Sequence, residues 1–218
     1  MTARTGGVGE FSDVVEVVNP NGTGPFVLLC EHASNAIPDE LAHLGLDAEA
    51  RQSHIAWDPG ARAVAGEMSA LLNAPLIAPR VSRLVFDCNR PTDSPSAIPH
   101  SSEAYAIPGN KGLSADDCRA RADRYYRPFH ETVRRILDAR AADGQAAALL
   151  TIHSFTPVYH GQKREVELGI LHDADARLAD ALLKVCAVRG DFITQRNVPY
   201  GPDDDVTNTL AEQALPRG

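Results

Sequence analysis

The stretch Phe26-Val27-Leu28-Leu29-Cys30-Glu31-His32 decides the fold that we expect for this chain. Residues 26–30 are all apolar, and a run of this length is too short for a helix but typical of a strand buried on both faces. Comparable apolar runs follow at residues 75–78, 83–87, 148–152 and 165–171. The sequence therefore predicts a sheet of buried, largely parallel strands.

Helical patterns lie between these runs. Residues 60–73 place apolar side chains at three- and four-residue spacing, which puts them on one face of a helix. Residues 114–142 show a similar pattern after Ser114, a good N-cap, and residues 176–188 form another. The alternation predicts an α/β fold, a three-layer domain with a mostly parallel or mixed central sheet and helices on both faces.

Composition and charge narrow the classes of partner. The 218 residues include 29 acidic and 21 basic side chains, and the resulting net charge of −8 would repel a phosphate backbone. No apolar run approaches the roughly 18 residues of a membrane span, and the N-terminus lacks the apolar core of a secretory signal. The 4 cysteines show no CxxC spacing, which favours reduced thiols. We expect a cytoplasmic protein that binds neither nucleic acid nor membrane.

The domain organisation is expected to be simple. Residues 1–24 contain several glycines and are predicted to be a flexible N-terminal segment. Residues 25–218 are predicted to form a single α/β domain. A chain of this length can bury a sizeable core without disulfides or structural metals. Any metal site is therefore expected to serve chemistry.

Polar residues follow three of the apolar runs. Glu31-His32 follows the first, Asp87-Cys88-Asn89-Arg90 ends the third, and His153-Ser154 follows the fourth. Ligands of an open parallel sheet bind outside the carboxyl ends of its strands. These polar residues are therefore expected to lie at one site.

His32 and His153 are the candidate metal ligands. Two imidazoles and a carboxylate, with one position left open, are a usual ligand set of catalytic zinc. The carboxylate could come from Glu31, Asp58 or Glu167. Two alternatives stay open: the histidines could be satisfied by backbone hydrogen bonds at strand ends, and Asp58 could be the N-cap of the helix that follows it.

Two arginines flank the third apolar run. Arg83 begins it and Arg90 lies just beyond its end, with Asn89 beside the second guanidinium. A guanidinium presents a fixed fork of donors that matches a carboxylate, so a substrate with a free carboxylate is the simplest ligand. The alternative is a structural ion pair between Arg90 and Asp87.

Tyr125-Tyr126-Arg127-Pro128-Phe129-His130 interrupts a helical pattern with a proline. We expect its aromatic rings to pack in the core and His130 to lie on a helix surface. The sequence lacks the GxSxG elbow, the glycine-rich phosphate loops and the HExxH helix. Serine-esterase chemistry and nucleotide hydrolysis therefore lose their usual support.

Ordered motifs from about residue 17 to the end of the chain resemble those of the N-formylglutamate amidohydrolases and their broad branch of relatives. The matching stretches are Glu31-His32-Ala33-Ser34-Asn35-Ala36-Ile37-Pro38, His54-Ile55-Ala56-Trp57-Asp58-Pro59-Gly60-Ala61, Ser82-Arg83, Asn89-Arg90-Pro91, Ile107-Pro108-Gly109-Asn110, Tyr126-Arg127-Pro128-Phe129-His130 and Ile152-His153-Ser154-Phe155. The family is similar to the zinc carboxypeptidases and acyl-amino-acid deacylases. The resemblance implies a carboxypeptidase-like fold that carries zinc or another divalent metal.

The resemblance also implies a ligand set. His32 and His153 correspond to metal ligands, and Asp58 is our choice for the third. The zinc-enzyme relatives place that carboxylate three residues after the first histidine, where this sequence has Asn35. The third ligand is thus the point at which the motifs depart from the pattern.

Roles in substrate binding follow from the same resemblance. Asn89 and Arg90 correspond to a clamp on the substrate carboxylate, and Arg83 to a group that stabilises an oxyanion. Ser154, in the His-Ser-aromatic triplet, is placed beside the substrate.

The expected general base is the second point at which this sequence differs from the pattern of the relatives. The relatives continue into a strand with a Glu-x-Arg motif, whereas this sequence ends at Gly218, so we expect a final strand to be lacking. Either the sequence is truncated, or Glu31 or Glu167 substitutes as the base, or the polypeptide is not a competent hydrolase. An unpaired strand edge and self-association into a homo-oligomer are expected to accompany the gap.

These residues predict a metal-dependent amidohydrolase that cleaves the amide of a small-molecule N-acylated amino acid such as N-formylglutamate. One alternative is a zinc metallopeptidase that acts on short or cell-wall peptides. The other is a non-catalytic domain that binds carboxylates through its arginines.

Overall fold

A computed structural model describes residues 11–145 and 147–218. Its strands are β1 (Val15–Val18), β2 (Phe26–Leu29), β3 (Leu76–Pro79), β4 (Ser101–Ser102), β5 (Tyr105–Ala106), β6 (Ala148–Thr151), β7 (Val158–Tyr159), β8 (Gln162–Lys163), β9 (Leu168–Ile170) and β10 (Thr194–Arg196). Its α-helices are α1 (Ala48–Gln52), α2 (Ala61–Leu71), α3 (Ala115–Arg121), α4 (Arg127–Ala142), α5 (Arg177–Arg189) and α6 (Asn208–Gln213). Short 3-10 helices span Asp39–Gly45, Pro108–Asn110, Pro202–Asp204 and Leu215–Arg217.

The central sheet contains four strands in the order β1, β3, β2, β6. β2 pairs in parallel with both β3 and β6, so that Leu28 lies between Leu76 and Leu150. β1 runs antiparallel to β3 at one edge. The predicted α/β fold with a mixed sheet is therefore confirmed.

Helices cover both faces of this sheet. Alternate residues of a strand point to opposite faces, and the core is divided accordingly into two clusters. Val27 and Leu29 pack in the cluster that contains Phe129 of α4. Leu28 packs in the cluster that contains Ala65 of α2. The protein thus has three layers, with α2 on one face of the sheet and α4 on the other.

The two inner strands are the most deeply buried part of the core. Five of their apolar side chains are 0% exposed: Val27, Leu28, Leu29, Leu76 and Ile77. Burying one such side chain contributes about 1.5–3 kcal/mol relative to leaving it in water. These strands therefore provide a rigid base for the residues that follow them.

A second, smaller sheet is formed in the C-terminal third, where β9 pairs in parallel with β10 and α5 packs against both. β9 is the structured part of the strand predicted for residues 165–171, and its residues are only half-buried. Val188 of α5 is 89% exposed and Phe192 is 60% exposed. This region is much more open to solvent than the central sheet.

Two predictions about the backbone are wrong. Residues 83–85 form a turn and residues 86–87 are irregular, so this run is not a strand; the Val85 N–H donates to the Ser82 carbonyl and the Leu84 N–H donates to Ser82 Oγ. The run is apolar because this turn is itself buried, with Val85 0% exposed. Residues 15–18 form β1, although the opening of the chain is predicted to be flexible. The part of that prediction that concerns residues 1–10 lies outside the described residues.

The predicted helices are present. Residues 60–73 and 176–188 correspond to α2 and α5, and residues 114–142 form α3 and α4 joined by the π-helical turn Ala122–Tyr126. Ser114 caps α3, because its Oγ accepts a hydrogen bond from the Asp117 N–H. Within residues 11–145 and 147–218, each helix is too short or too polar to cross a bilayer.

The carboxyl ends of the parallel strands meet at one edge of the central sheet. His32 follows β2, Arg83 follows β3 and His153 follows β6. The topology therefore brings polar residues from distant parts of the chain to a single place.

Candidate metal centre

The imidazole of His32 is held at both of its nitrogens. Nε2 lies 2.8 Å from Asp87 Oδ1, and an ionised carboxylate only accepts hydrogen bonds, so Nε2 carries a proton. Nδ1 lies 3.3 Å from Nη1 of Arg83, and a guanidinium only donates. These contacts place a proton on Nε2 and direct Nδ1 toward Arg83 and Asp58.

Asp58 lies in the loop before α2 and faces both histidines. Its Oδ2 is 2.9 Å from Nδ1 of His153 and 3.4 Å from Nδ1 of His32. The Ser154 N–H donates to the same oxygen over 3.2 Å. The alternative of Asp58 as a helix N-cap is wrong, because the N-cap of α2 is Gly60, whose φ of 84° suits a glycine.

His153 lies between two carboxylates at the end of β6. Its Nδ1 faces Asp58, and its Nε2 lies 3.3 Å from Oε2 of Glu31. The rings of His153 and His32 meet edge to face with their centroids 4.8 Å apart. Burial alone lowers the pKa of His153, but the hydrogen bond to Asp58 and the nearby carboxylate charges of Asp58 and Glu31 outweigh it and raise the pKa to about 10. Without a metal, this ring therefore carries a proton on each nitrogen.

Glu31 is a carboxylate inside the core. Its side chain is 0% exposed, and neither of its oxygens has a hydrogen-bond partner among the described residues. Burial raises the pKa of such a group, but His153 and His32 counteract it and hold the pKa of Glu31 below its ordinary value. Glu31 is thus an ionised group whose ion-pair partner is the His153 ring.

Asp87 connects several parts of the site. Its side chain is 1% exposed, and besides His32 it accepts hydrogen bonds from Nη2 of Arg83 over 2.7 Å and from the Asn89 N–H over 2.9 Å. Burial raises the pKa of Asp87, but Arg83 and His32 hold it well below the usual range. Sequence reasoning assigned Asp87 only to a pair with Arg90, whose Nε lies 3.9 Å away.

Three side chains offer ligand atoms that all lie within 4.8 Å of one another: His32, Asp58 and His153. This donor set occurs in catalytic zinc sites. Metal-ligating histidines commonly donate their other ring N–H to a carboxylate, and here Asp87 lies at that position for His32 and Glu31 for His153. The residues present therefore fit a divalent metal, and they are the three that sequence reasoning selected.

The family model described as N-formylglutamate amidohydrolase matches residues 24–216. The chain belongs to this family. Among solved structures, gene product Atu2144 from Agrobacterium tumefaciens is 51% identical in sequence and superposes with a TM-score of 0.93, covering 95% of this chain and 82% of that chain. No curated protein matches the chain. Membership of the N-formylglutamate amidohydrolase family supports amidohydrolase activity toward a small-molecule substrate.

In this member of the N-formylglutamate amidohydrolase family, the amide of Asn89 is used within the protein. Its Nδ2 donates to the Val206 carbonyl over 2.7 Å, and its Oδ1 accepts from both the N–H and the hydroxyl of Thr209 at 3.0 Å. The side chain is buried. The expected role of Asn89 in gripping the substrate does not match this arrangement, because the amide already joins the C-terminal segment to the site.

The two arginines remain partly accessible. The side chain of Arg83 is 27% exposed and that of Arg90 is 17% exposed. Arg90 also donates through Nη1 to the backbone carbonyl of Asp204. Both guanidinium groups are therefore accessible to solvent, and both pair with the buried carboxylate of Asp87.

Other sequence candidates lie elsewhere or act differently. Glu167 accepts a hydrogen bond from the Ile193 N–H over 2.8 Å at the smaller sheet, away from the two histidines. Ser154 contacts Asp58 through its backbone N–H.

His130 is buried, so its predicted position on a helix surface is wrong. Its Nε2 lies 2.9 Å from the Cys88 carbonyl, its Nδ1 lies 3.2 Å from Nε2 of Gln213, and its ring stacks on Tyr126 with centroids 4.0 Å apart. Burial lowers the pKa of His130 below its usual value. A polar residue on a helix gives no sequence signal of partners that come from two distant segments.

Proposed function

We propose that this protein is a metal-dependent amidohydrolase that cleaves the amide bond of an N-acylated amino acid, with N-formylglutamate as the first candidate substrate. The observation that carries the proposal is the convergence of His32, Asp58 and His153 at one edge of the sheet. Family membership supplies the reaction class.

Different residues at this edge of the central sheet have different proposed roles. His32, Asp58 and His153 would hold the metal, most naturally zinc, with one position left open. A divalent metal bound there supplies Lewis acidity, which activates water near neutral pH and polarises a carbonyl. The His32 ring is oriented for this role, because its Nδ1 faces Asp58 while Asp87 holds the opposite nitrogen.

Arg83 is placed to stabilise negative charge that develops on the scissile carbonyl. Its Nη1 lies 3.3 Å from His32 Nδ1 and 3.9 Å from Asp58 Oδ1, so this guanidinium borders the proposed metal site. Asp87 fixes its Nη2 and leaves other N–H donors available. Loss of one well-aimed donor to an oxyanion typically lowers the rate by about 10²–10³.

Arg90 is the residue proposed to bind the substrate carboxylate. A guanidinium binds a carboxylate in a bidentate fork that lysine cannot reproduce. Arg90→Lys should therefore weaken the hydrolysis of N-acyl amino acids and spare the corresponding amides. An equal loss for both substrate classes would show that Arg90 is structural.

The deciding experiment measures metal content and hydrolysis on the same preparations. The wild type is expected to bind about one zinc per chain and to hydrolyse N-formylglutamate or another N-acyl amino acid. His153→Ala should lose both properties. His54→Ala is the matched control, because His54 pairs with Glu103 at the surface over 2.8 Å and does not belong to the ligand cluster.

The same panel distinguishes the alternatives. Preference for dipeptides or cell-wall fragments would assign the protein to the metallopeptidases. Binding of N-acyl amino acids without turnover by the zinc-loaded protein would indicate a non-catalytic carboxylate-binding domain. Stoichiometric zinc in the double variant His32→Ala, His153→Ala would overturn the proposed ligand set.

A further inference from the structure

We propose that Glu31 is a positioning residue for His153: its carboxylate accepts a hydrogen bond from the Nε2–H and thereby directs Nδ1 toward Asp58 and the proposed metal. This inference rests on the proposed function, since it concerns how one of the ligands is held. It differs from the role of general base that the sequence offered for Glu31.

The burial of Glu31 is the first observation behind this proposal. An ionised carboxylate is costly to bury without a partner, yet both oxygens of Glu31 lack a hydrogen bond among the described residues. Oε2 lies 3.3 Å from His153 Nε2, slightly beyond the length of a good charge-assisted hydrogen bond. A small rotation of the imidazole would complete this bond and satisfy the carboxylate.

The second observation is the parallel with Asp87. Asp87 lies 2.8 Å from Nε2 of His32, while Nδ1 of that ring faces Asp58. Glu31 lies on the Nε2 side of His153, while Nδ1 of that ring also faces Asp58. Each imidazole thus has a buried carboxylate behind it and presents the same nitrogen to the centre.

The third observation is the partial exposure of the His153 ring. Its side chain is 29% exposed, compared with 7% for that of His32. It follows β6, all of whose residues are only half-buried. Besides the edge contact with the His32 ring, the contacts that orient His153 are the polar ones with Glu31 and Asp58.

The same burial argues against Glu31 as the base that accepts a proton from water. Its side chain is 0% exposed, whereas a general base must lie within hydrogen-bond reach of the proton it removes. The imidazole of His153 lies between Glu31 and the proposed metal position.

Glu31→Gln tests the proposal with almost no change in shape. Zinc affinity of the metal-free protein would be measured by competition with a chromogenic chelator. We expect a 10- to 100-fold loss, roughly the usual effect of removing a carboxylate behind a ligating histidine. Glu103→Gln is the matched control, because it removes the charge from the surface pair with His54 and should leave zinc affinity unchanged.

A measurement on the wild type keeps the proposal testable if the variant does not fold. Imidazole nitrogen NMR of the zinc-loaded protein should show the proton of His153 on Nε2 and the metal shift on Nδ1. The opposite assignment would overturn the inference. Wild-type zinc affinity in folded Glu31→Gln that has lost hydrolysis would also overturn it and would restore Glu31 as the base. A wild type that binds no zinc would instead refute the proposed function.

Discussion

The central sheet and the C-terminal third use the same apolar residue types but bury them very differently. Val27 in β2 is 0% exposed, whereas Val188 in α5 is 89% exposed. Every residue of β3 is buried, whereas every residue of β9 is only half-buried. Stability should therefore be concentrated in the central sheet and be low around β9, β10 and α5.

The candidate metal centre combines deeply buried and half-buried parts of the molecule. His32, Asp58 and Asp87 come from the buried part of the molecule, and His153 follows the half-buried edge strand β6. Most of the residues of the site are therefore fixed by the buried core, and His153 is the exception. Carboxylates anchored in the rigid part determine where the more exposed imidazole points.

The largest effect on the free energy of unfolding is expected when the buried carboxylate of Asp87 loses its charge. Asp87→Asn should lower the free energy of unfolding by about 3 kcal/mol, since it breaks the ion pair of this buried carboxylate with Arg83 and weakens its hydrogen bonds to His32 and to the Asn89 N–H. Urea unfolding measures this loss. Asp138→Asn is a control, because Asp138 pairs with Arg134 and Arg217 at the surface and should matter little. Equal stability of the two variants would contradict the assignment of Asp87 to the rigid part.

A matched pair of valines compares the two regions directly. Val27→Ala should cost about 1.5–3 kcal/mol, because buried carbon atoms are lost and a cavity is left. Val188→Ala should change the free energy of unfolding by no more than about 0.5 kcal/mol. Similar costs at both positions would show that the exposed face of α5 is covered in solution.

Sequence patterns predicted the strands that are buried on both faces, because a short apolar run has few other uses. They failed at residues 83–87, since a buried turn and a buried strand have the same composition. The histidines and Asp58 could be selected by residue type and position. Glu31 was a candidate ligand or base and Asp87 a candidate partner of Arg90, but their pairing with the two imidazoles could not be predicted, because it depends on contacts between distant segments.

Asn89 joins the two regions, and its replacement should have the next largest effect. Asn89→Ala would leave the buried N–H of Thr209 without an acceptor, at a cost of about 1–3 kcal/mol. The variant should also release residues 200–218 to limited proteolysis. Asn208→Ala is the control, because Asn208 donates only a 3.2 Å bond to the Tyr126 hydroxyl. Unchanged protease resistance in Asn89→Ala would mean that other contacts hold this segment.

The smallest effect is expected from pH, acting through His130 between α4 and α6. Burial lowers the pKa of His130, against the opposing influence of the Cys88 carbonyl and the Glu212 carboxylate. The unfolded chain therefore binds a proton at this position more readily than the folded protein does. The contribution of His130 to the free energy of unfolding should be complete above pH about 6.5. It should decrease as the pH drops from there through the folded-state pKa.

His130→Gln isolates this contribution, because glutamine can still donate to the Cys88 carbonyl but does not titrate. The variant should be less stable than the wild type at pH 7, and the difference between the two should shrink as the pH is lowered toward 5. Titration of His153 does not change the stability between pH 7 and 5 in the same way. In the metal-free protein the pKa of His153 is raised to about 10, so the stability it contributes is complete below the unfolded-state value and is lost only as the pH rises toward 10. A difference between wild type and His130→Gln that stays constant from pH 7 to 5 would show that His130 titrates normally, and that α6 does not seal it from solvent.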